Sequence, residues 1–185
     1  MPRQIYLFDP PERFVAGTVG QPGERTFFLQ ARGEDRLVSV ALEKVQVAVL
    51  AERLDSLLEE VRRRGGATAE ASAPADLEDV EPLETPLFEE FRVGTMALGW
   101  DGNDGRVVIE AHAVRPDEAE SAEPPDDDDE NASDVLRVRL RPPAARAFAR
   151  RAARVVAAGR PPCPLCGQPL DAEGHICPRQ NGHRR

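Results

Sequence analysis

Three cysteines and one or two histidines are the residues of this chain best spaced to act together. They read Cys163-Pro164-Leu165-Cys166-Gly167, then Gly174-His175-Ile176-Cys177-Pro178, with Gly182-His183 beyond. A Cys-x-x-Cys turn places two thiolates on one side of a tight knuckle, and Gly167 permits the left-handed backbone that such a turn often uses. Cys177 then returns as a second knuckle would. Zinc favours four sulfur or nitrogen ligands in a tetrahedron, so three thiolates call for one imidazole. His175, two residues before Cys177, is favoured because both can point inward from one turn; His183 is the alternative. Four protein ligands leave no open position for water or substrate, so the expected cofactor is a structural Zn2+. A redox Cys-x-x-Cys normally opens a helix beside a strand, whereas here Pro161 and Pro162 precede Cys163 and Pro164 separates the cysteines. The segment is too short to bury a core, so ligation would supply most of its folding energy.

The second candidate constellation is basic. Arg146, Arg150 and Arg154 recur at i, i+4, i+8 on an expected helix over residues 142–158, reinforced by Arg151. Arg137, Arg139 and Arg141 alternate on one face of the strand before it. Such arginines can meet phosphates or an acidic partner through charge-assisted contacts, or form a solvated face that balances an acidic chain. Glu110 and His112 share one face of a predicted strand, where an acid–base pair is conceivable but a hydrogen-bonded histidine is the plainer reading. Residues 101–105, Asp-Gly-Asn-Asp-Gly, lack calcium-loop spacing and a closing glutamate, and read as a hairpin turn. No Ser-His-Asp ordering, P-loop or dinucleotide fingerprint is present.

The elements that must position these residues follow from periodicity. Residues 4–8, 14–20, 26–31 and 37–42 are β-prone, with turn chemistry at Gln21-Pro22-Gly23-Glu24. From Glu43 the period turns helical: Leu50, Leu54, Leu57, Leu58 and Val61 form a stripe that Gly65-Gly66 ends. The second half repeats the plan. Phe14 to Val19 lines up with Phe91 to Met96, Phe27 to Ala31 with Val107 to Ala111, and Val38 and Val40 with Leu136 and Val138. Leu50, Leu54, Leu57 and Leu58 match Phe148, Ala152, Val155 and Val156 at one constant offset. The expected fold is α+β: two β-β-β-α repeats forming an antiparallel sheet or split barrel, plus a C-terminal zinc knuckle or ribbon. Residues 1–64 make the first unit, 65–84 a linker, 85–158 the second unit and 159–185 the zinc module. Within the linker, Leu77, Val80 and Leu83 suggest a brief docked turn.

Charge is unevenly distributed. The chain has 185 residues and a net charge of −9. Residues 117–134 carry ten acidic groups and no basic one, so a disordered acidic loop is expected there. Residues 135–185 carry eleven arginines against Asp171 and Glu173, a net of +9. Lys44 is the only lysine among 24 basic positions, a bias typical of GC-rich genomes, so arginine abundance alone says little about phosphate binding. The opening thirteen residues have no signal-peptide h-region, no run is long enough to span a membrane, and the three cysteines cluster tightly. Together these point to metal binding in a reducing, cytoplasmic setting.

The ending Cys163-Pro-Leu-Cys-Gly, Pro169-Leu-Asp, Gly174-His-Ile-Cys-Pro-Arg179 and Asn181-Gly, the opening Ile5-Tyr-Leu-Phe-Asp-Pro-Pro-Glu-Arg-Phe14, and the segment Phe91-Arg-Val-Gly-Thr95 carry a resemblance. In these the chain resembles an actinobacterial family of uncharacterised proteins known as domain of unknown function 3090. The resemblance covers essentially the whole chain and implies a lineage and a similar cysteine ending, with no established activity. The residues themselves favour a non-enzymatic, zinc-containing binding or adaptor protein with a protein partner. A nucleic-acid-binding protein using the C-terminal arginines is the alternative. A third reading is an enzyme of unrecognised type acting on an anionic metabolite.

Overall fold

Hydrophobic periodicity switches between two and 3.6 along the chain, and seven strands and two long helices result. In chain order they are β1 (Ile5–Phe8), β2 (Arg13–Val19), β3 (Thr26–Gly33), β4 (Arg36–Leu42), α1 (Lys44–Arg63), a 3-10 turn (Ala75–Leu77), β5 (Glu89–Asp101), β6 (Arg106–Ala113), β7 (Val135–Leu140) and α2 (Pro142–Ala157). They come from a computed structural model that describes residues 3–65, 75–115, 132–160, 162–170 and 175–179. Most of the acidic tract, residues 116–131, lies outside the described residues, as does His183. Among the described residues, no helix is long and apolar enough to cross a membrane.

The strands form one open sheet in the order β1-β7-β6-β5-β4-β3-β2, with β1 and β2 as its edges. The fold is α+β, and the sheet is mostly, not wholly, antiparallel. β1 runs parallel to β7, and β4 runs parallel to β5. A parallel neighbour needs a long crossover rather than a hairpin; α1 and residues 64–88 supply it between β4 and β5. Each helix follows three strands, β2–β4 before α1 and β5–β7 before α2, and β1 stands outside that pattern.

Both helices pack on the same apolar layer. Phe14 and Ala16 of β2, Phe27, Leu29 and Ala31 of β3, Val38, Val40 and Leu42 of β4, and Ile109 and Val138 of β6 and β7 meet Leu50, Leu54 and Leu58 of α1 and Phe148 and Ala152 of α2. Phe14 and Phe148 stack with ring centroids 4.5 Å apart, fixing α2 over β2. Each fully buried large side chain of this layer contributes about 1.5–3 kcal/mol. Leu57, Val155 and Val156, expected in the same stripes, sit only half-buried at its margin.

The reverse face of β2–β4 is also dry, because the segment after the 3-10 turn straps across it. Gly17 leaves room for Leu83: a Cβ there would lie 2.5 Å from its Cγ. Buried Gln30 donates to Ser39 Oγ at 3.1 Å and to the Glu84 carbonyl at 3.0 Å, while accepting the Glu84 amide at 2.8 Å. Of the three apolar residues expected to dock, Leu83 does so, whereas Leu77 and Val80 are exposed.

Asp79 anchors the strap. Its carboxylate accepts two hydrogen bonds from Arg13, at 2.6 and 2.9 Å, and one from Arg151 at 2.7 Å. Arg151, grouped by spacing with the exposed arginines of α2, is instead buried, because its position on the helix faces β2. Its guanidinium donates to the carbonyls of Ala16, Asp79 and Glu81, occupying the free edge of β2. Hydrogen bonding from Arg13, assisted by the charges of Arg13 and Arg151, holds the Asp79 carboxyl below the usual carboxylate range.

Asp79→Asn removes the carboxylate that these two guanidiniums share. Since the Asp79 side chain keeps 28% exposure, the expected loss is below that of a fully buried pair, about 2–3 kcal/mol in urea unfolding at neutral pH. A depressed folded pKa stabilises above the unfolded pKa, so the wild-type advantage should be full above roughly pH 5 and fade as pH falls through the folded value. A variant as stable as wild type at neutral pH contradicts this assignment.

Candidate metal centre

Ala158 caps α2: its amide still bonds the Arg154 carbonyl, and its own carbonyl accepts from Arg25 at 3.1 Å. The chain then turns into the cysteine segment. Cys163 donates its amide to the Gln168 carbonyl at 2.7 Å and accepts from the Gly167 amide at 2.8 Å, while Pro162 and Pro169 form an isolated antiparallel bridge. This closes a knuckle around Cys163 and Cys166, with Gly167 in the left-handed region at φ 74°. The Leu165 amide points at Cys163 Sγ from 3.4 Å. Hydrogen bonds from the amides of Cys166 and Leu165 lower the Cys163 thiol's pKa, favouring the thiolate that a metal binds.

Residues 175–179 lie against this knuckle and bring His175 and Cys177 to it. Cys163 and Cys177 place their sulfurs 3.9 Å apart, and Cys166 Sγ lies 3.2 Å from His175 Nε2. All four donor atoms fall within 4.8 Å of one another. A tetrahedral ion with metal–sulfur bonds of about 2.3 Å requires sulfurs about 3.8 Å apart, so the arrangement can hold a metal ion. Cys163 and Cys177 are buried; Cys166 and His175 are half-buried. The His175 Nδ1 atom is buried without a hydrogen-bond partner among the described residues, a position that ligand histidines commonly fill with an acceptor. Of the two imidazoles weighed, His175 is thus in the cluster and His183 lies outside the described residues.

The arginines do not form one surface. Arg137 and Arg139 project from β7 away from the helices, because alternate strand residues take opposite faces, whereas Arg146, Arg150 and Arg154 lie on α2. Each meets carboxylates of this chain. Arg137 pairs with Glu110 at 2.5 Å, and Arg139 with Asp101 and Asp104 at 2.8 Å each and with Asp9 at 3.3 Å. Arg150 and Arg154 share Glu78, at 3.5 and 3.6 Å, and Arg146 lies 3.9 Å from Asp55 of α1. The residues 101–105 form the β5–β6 turn, with Asp101 accepting the Asn103 amide.

His112 is 2% exposed, with Nε2 3.3 Å from a Glu110 oxygen. The hydrogen bond from His112 and that from Arg137 hold the Glu110 carboxyl below its ordinary range. The two residues make a hydrogen-bonded pair on the reverse face of the sheet. The Gln30–Ser39–Glu84 lock and the inward turn of Arg151 carried no signal in the spacing, since each depends on a long-range partner.

The profile of one family, described as Protein of unknown function (DUF3090), matches residues 6–177. No curated protein and no solved structure matches the chain.

Arg137→Ala leaves Glu110, half-buried beside His112, without its cationic partner. An expected loss of about 1–3 kcal/mol in urea unfolding follows from stranding a partly buried carboxylate. A change within about 0.5 kcal/mol would mean that water already screens the pair.

Proposed function

The chain belongs to the DUF3090 family, and from that premise we propose that it is a non-enzymatic, zinc-containing binding protein that engages a protein partner in a reducing, cytoplasmic compartment. One observation carries the reading. The four-donor cluster has a complete protein ligand set, and its two ligand turns present Leu165 and Ile176 to solvent at 49% and 85% exposure. Three thiolates and one imidazole suit zinc best among common ions, since thiolate-rich tetrahedral sets disfavour calcium and magnesium. A four-coordinate set leaves no place for a reacting water, so the ion's role is structural. Ordering two turns around it would hold two apolar side chains outward on a rigid tip, at little further entropic cost on binding.

We also read the two runs of three strands and a helix as copies of one ancestral unit, supported by their shared order and by the constant offset between the helix stripes. The nucleic-acid alternative draws less support, since an incoming phosphate would have to compete with the carboxylates already paired to Arg137, Arg139, Arg150 and Arg154. The enzyme alternative draws less again, because buried His112 offers a substrate no approach.

The test has two arms. Titrating the metal-free protein with cobalt(II) should yield thiolate charge-transfer absorption and tetrahedral ligand-field bands, displaced by zinc. His175→Ala should weaken uptake and His183→Ala should not; the opposite result moves the fourth ligand to His183. No uptake at all sinks the zinc reading. In nuclease-treated lysate of the native organism, a stoichiometric protein partner should be recovered by wild type and lost on Leu165→Ser with Ile176→Ser, with metal content unchanged. Recovery that depends on nucleic acid would favour the alternative.

A further inference from the structure

A groove of about 600 Å³ runs between α1 and β5, on the side of α1 facing away from α2. Its construction starts at a bulge. The β5–β6 register slips between Val93 and Met96, which turns the carbonyls of Val93 and Gly94 outward. Gln46 of α1 takes both, at 3.3 and 2.9 Å, and also accepts the Glu43 amide at 2.8 Å. The start of α1 is thereby tied to β5 at one point, and beyond it the two elements diverge. Met96 and Leu98 of β5 form an apolar floor.

The wall is a face of α1, on which Glu60, paired with Arg64, also lines the groove. Val45, Val49, Arg53 and Leu57 follow at spacings of four and all line the groove. Residues so spaced form one ridge of a helix surface, the unit that packs against another helix. Val45 is 64% exposed and Val49 38%, so the two valines of this ridge are left uncovered. Arg53 interrupts them. Elsewhere on the same helix, Arg62 and Arg63 pair with Glu59, and Arg64 just past its end pairs with Glu60. Arg53 makes no ion pair or hydrogen bond among the described residues.

We infer that this groove is a docking site for an amphipathic helix of a protein partner, one whose apolar ridge carries a single carboxylate facing Arg53. The apolar ridge and floor define a helix-in-groove surface, read by anchors at i, i+4 and i+7. The unpaired cation within the row sets the complementary charge: a buried guanidinium is tolerated only if it gains a carboxylate partner, whereas a cationic occupant is rejected. The inference extends the reading of the chain as a binding protein to a second surface, and the metal takes no part in it.

A display library of amphipathic helices, with a fixed apolar ridge and a randomised position within it, provides the probe. The full-length protein should select Asp or Glu at that position. Fluorescence anisotropy of the selected peptides should show binding weakened about tenfold or more by Val49→Glu or Val45→Glu, with melting curves confirming intact variants. Arg53→Glu should shift the preference to Lys or Arg. Leu165→Ser should leave this binding unchanged, which separates failure here from failure of the metal-site reading. The inference is overturned if no helix is selected, if the valine variants bind as wild type, or if the selected peptides show no acidic preference. It is equally overturned if the protein self-associates and Val49→Glu abolishes that association, since a second copy would then be the occupant.

Discussion

One carboxylate shared by two guanidiniums ties this structure together. Asp79 lies in a polar stretch between the two halves of the chain, and its oxygens accept from Arg13 of β2 and Arg151 of α2. Those two arginines also take the carbonyls of Ala16, Glu81 and Pro82. An exposed edge strand offers unpaired backbone groups to any passing chain, and here a guanidinium and a strap occupy part of that edge. The same strap lays Leu83 over Gly17 and closes Gln30 and Ser39 from water. Without it, β2–β4 would expose a second face of Val15, Phe28 and Ala41. The partial burial of the cluster makes it an all-or-none arrangement, because either charge alone would be costly to keep there.

The cysteine segment obeys a different economy. Among its described residues no apolar core forms, and its short turns are held by backbone hydrogen bonds around Cys163 and by the convergence of four donor atoms. A segment of this kind that takes up a metal ion gains its folding energy from ligation rather than from hydrophobic burial. The sheet therefore depends on packing and on the Asp79 cluster, and the cysteine segment on its backbone hydrogen bonds and the four clustered donors.

Net charge is a poor guide to the surface this chain presents. The basic excess of residues 135–185 suggests a phosphate-binding face, yet β7 directs Arg137 and Arg139 to one side of the sheet and α2 carries its arginines on the other. Intramolecular carboxylates then neutralise most of them, whereas Arg53 of the α1 ridge has no such partner among the described residues. Arg53 stands among exposed valines, where a cation gains little from its own chain.

The sequence by itself determined the local elements and the metal donors. β-Prone runs and their repeat gave β2, β3, β4, β6 and β7 to within a few residues, helical stripes gave α1 and α2, and the Cys-x-x-Cys turn with His175 and Cys177 named the four residues that converge. These depend on neighbours close along the chain, whose spacing directly sets which side chains share a face or a turn. Tertiary structure decided the rest. Parallel pairing of β4 with β5 and of β1 with β7 depends on how a crossover returns and which edge remains free. The burial of Arg151, read by spacing as a surface residue, depends on Asp79, which lies 72 positions away. The groove beside α1 exists because a bulge in β5 offers two carbonyls to Gln46 and the elements then part. Periodicity reports which face of an element is apolar; only the packed chain determines whether that face is covered, and by what.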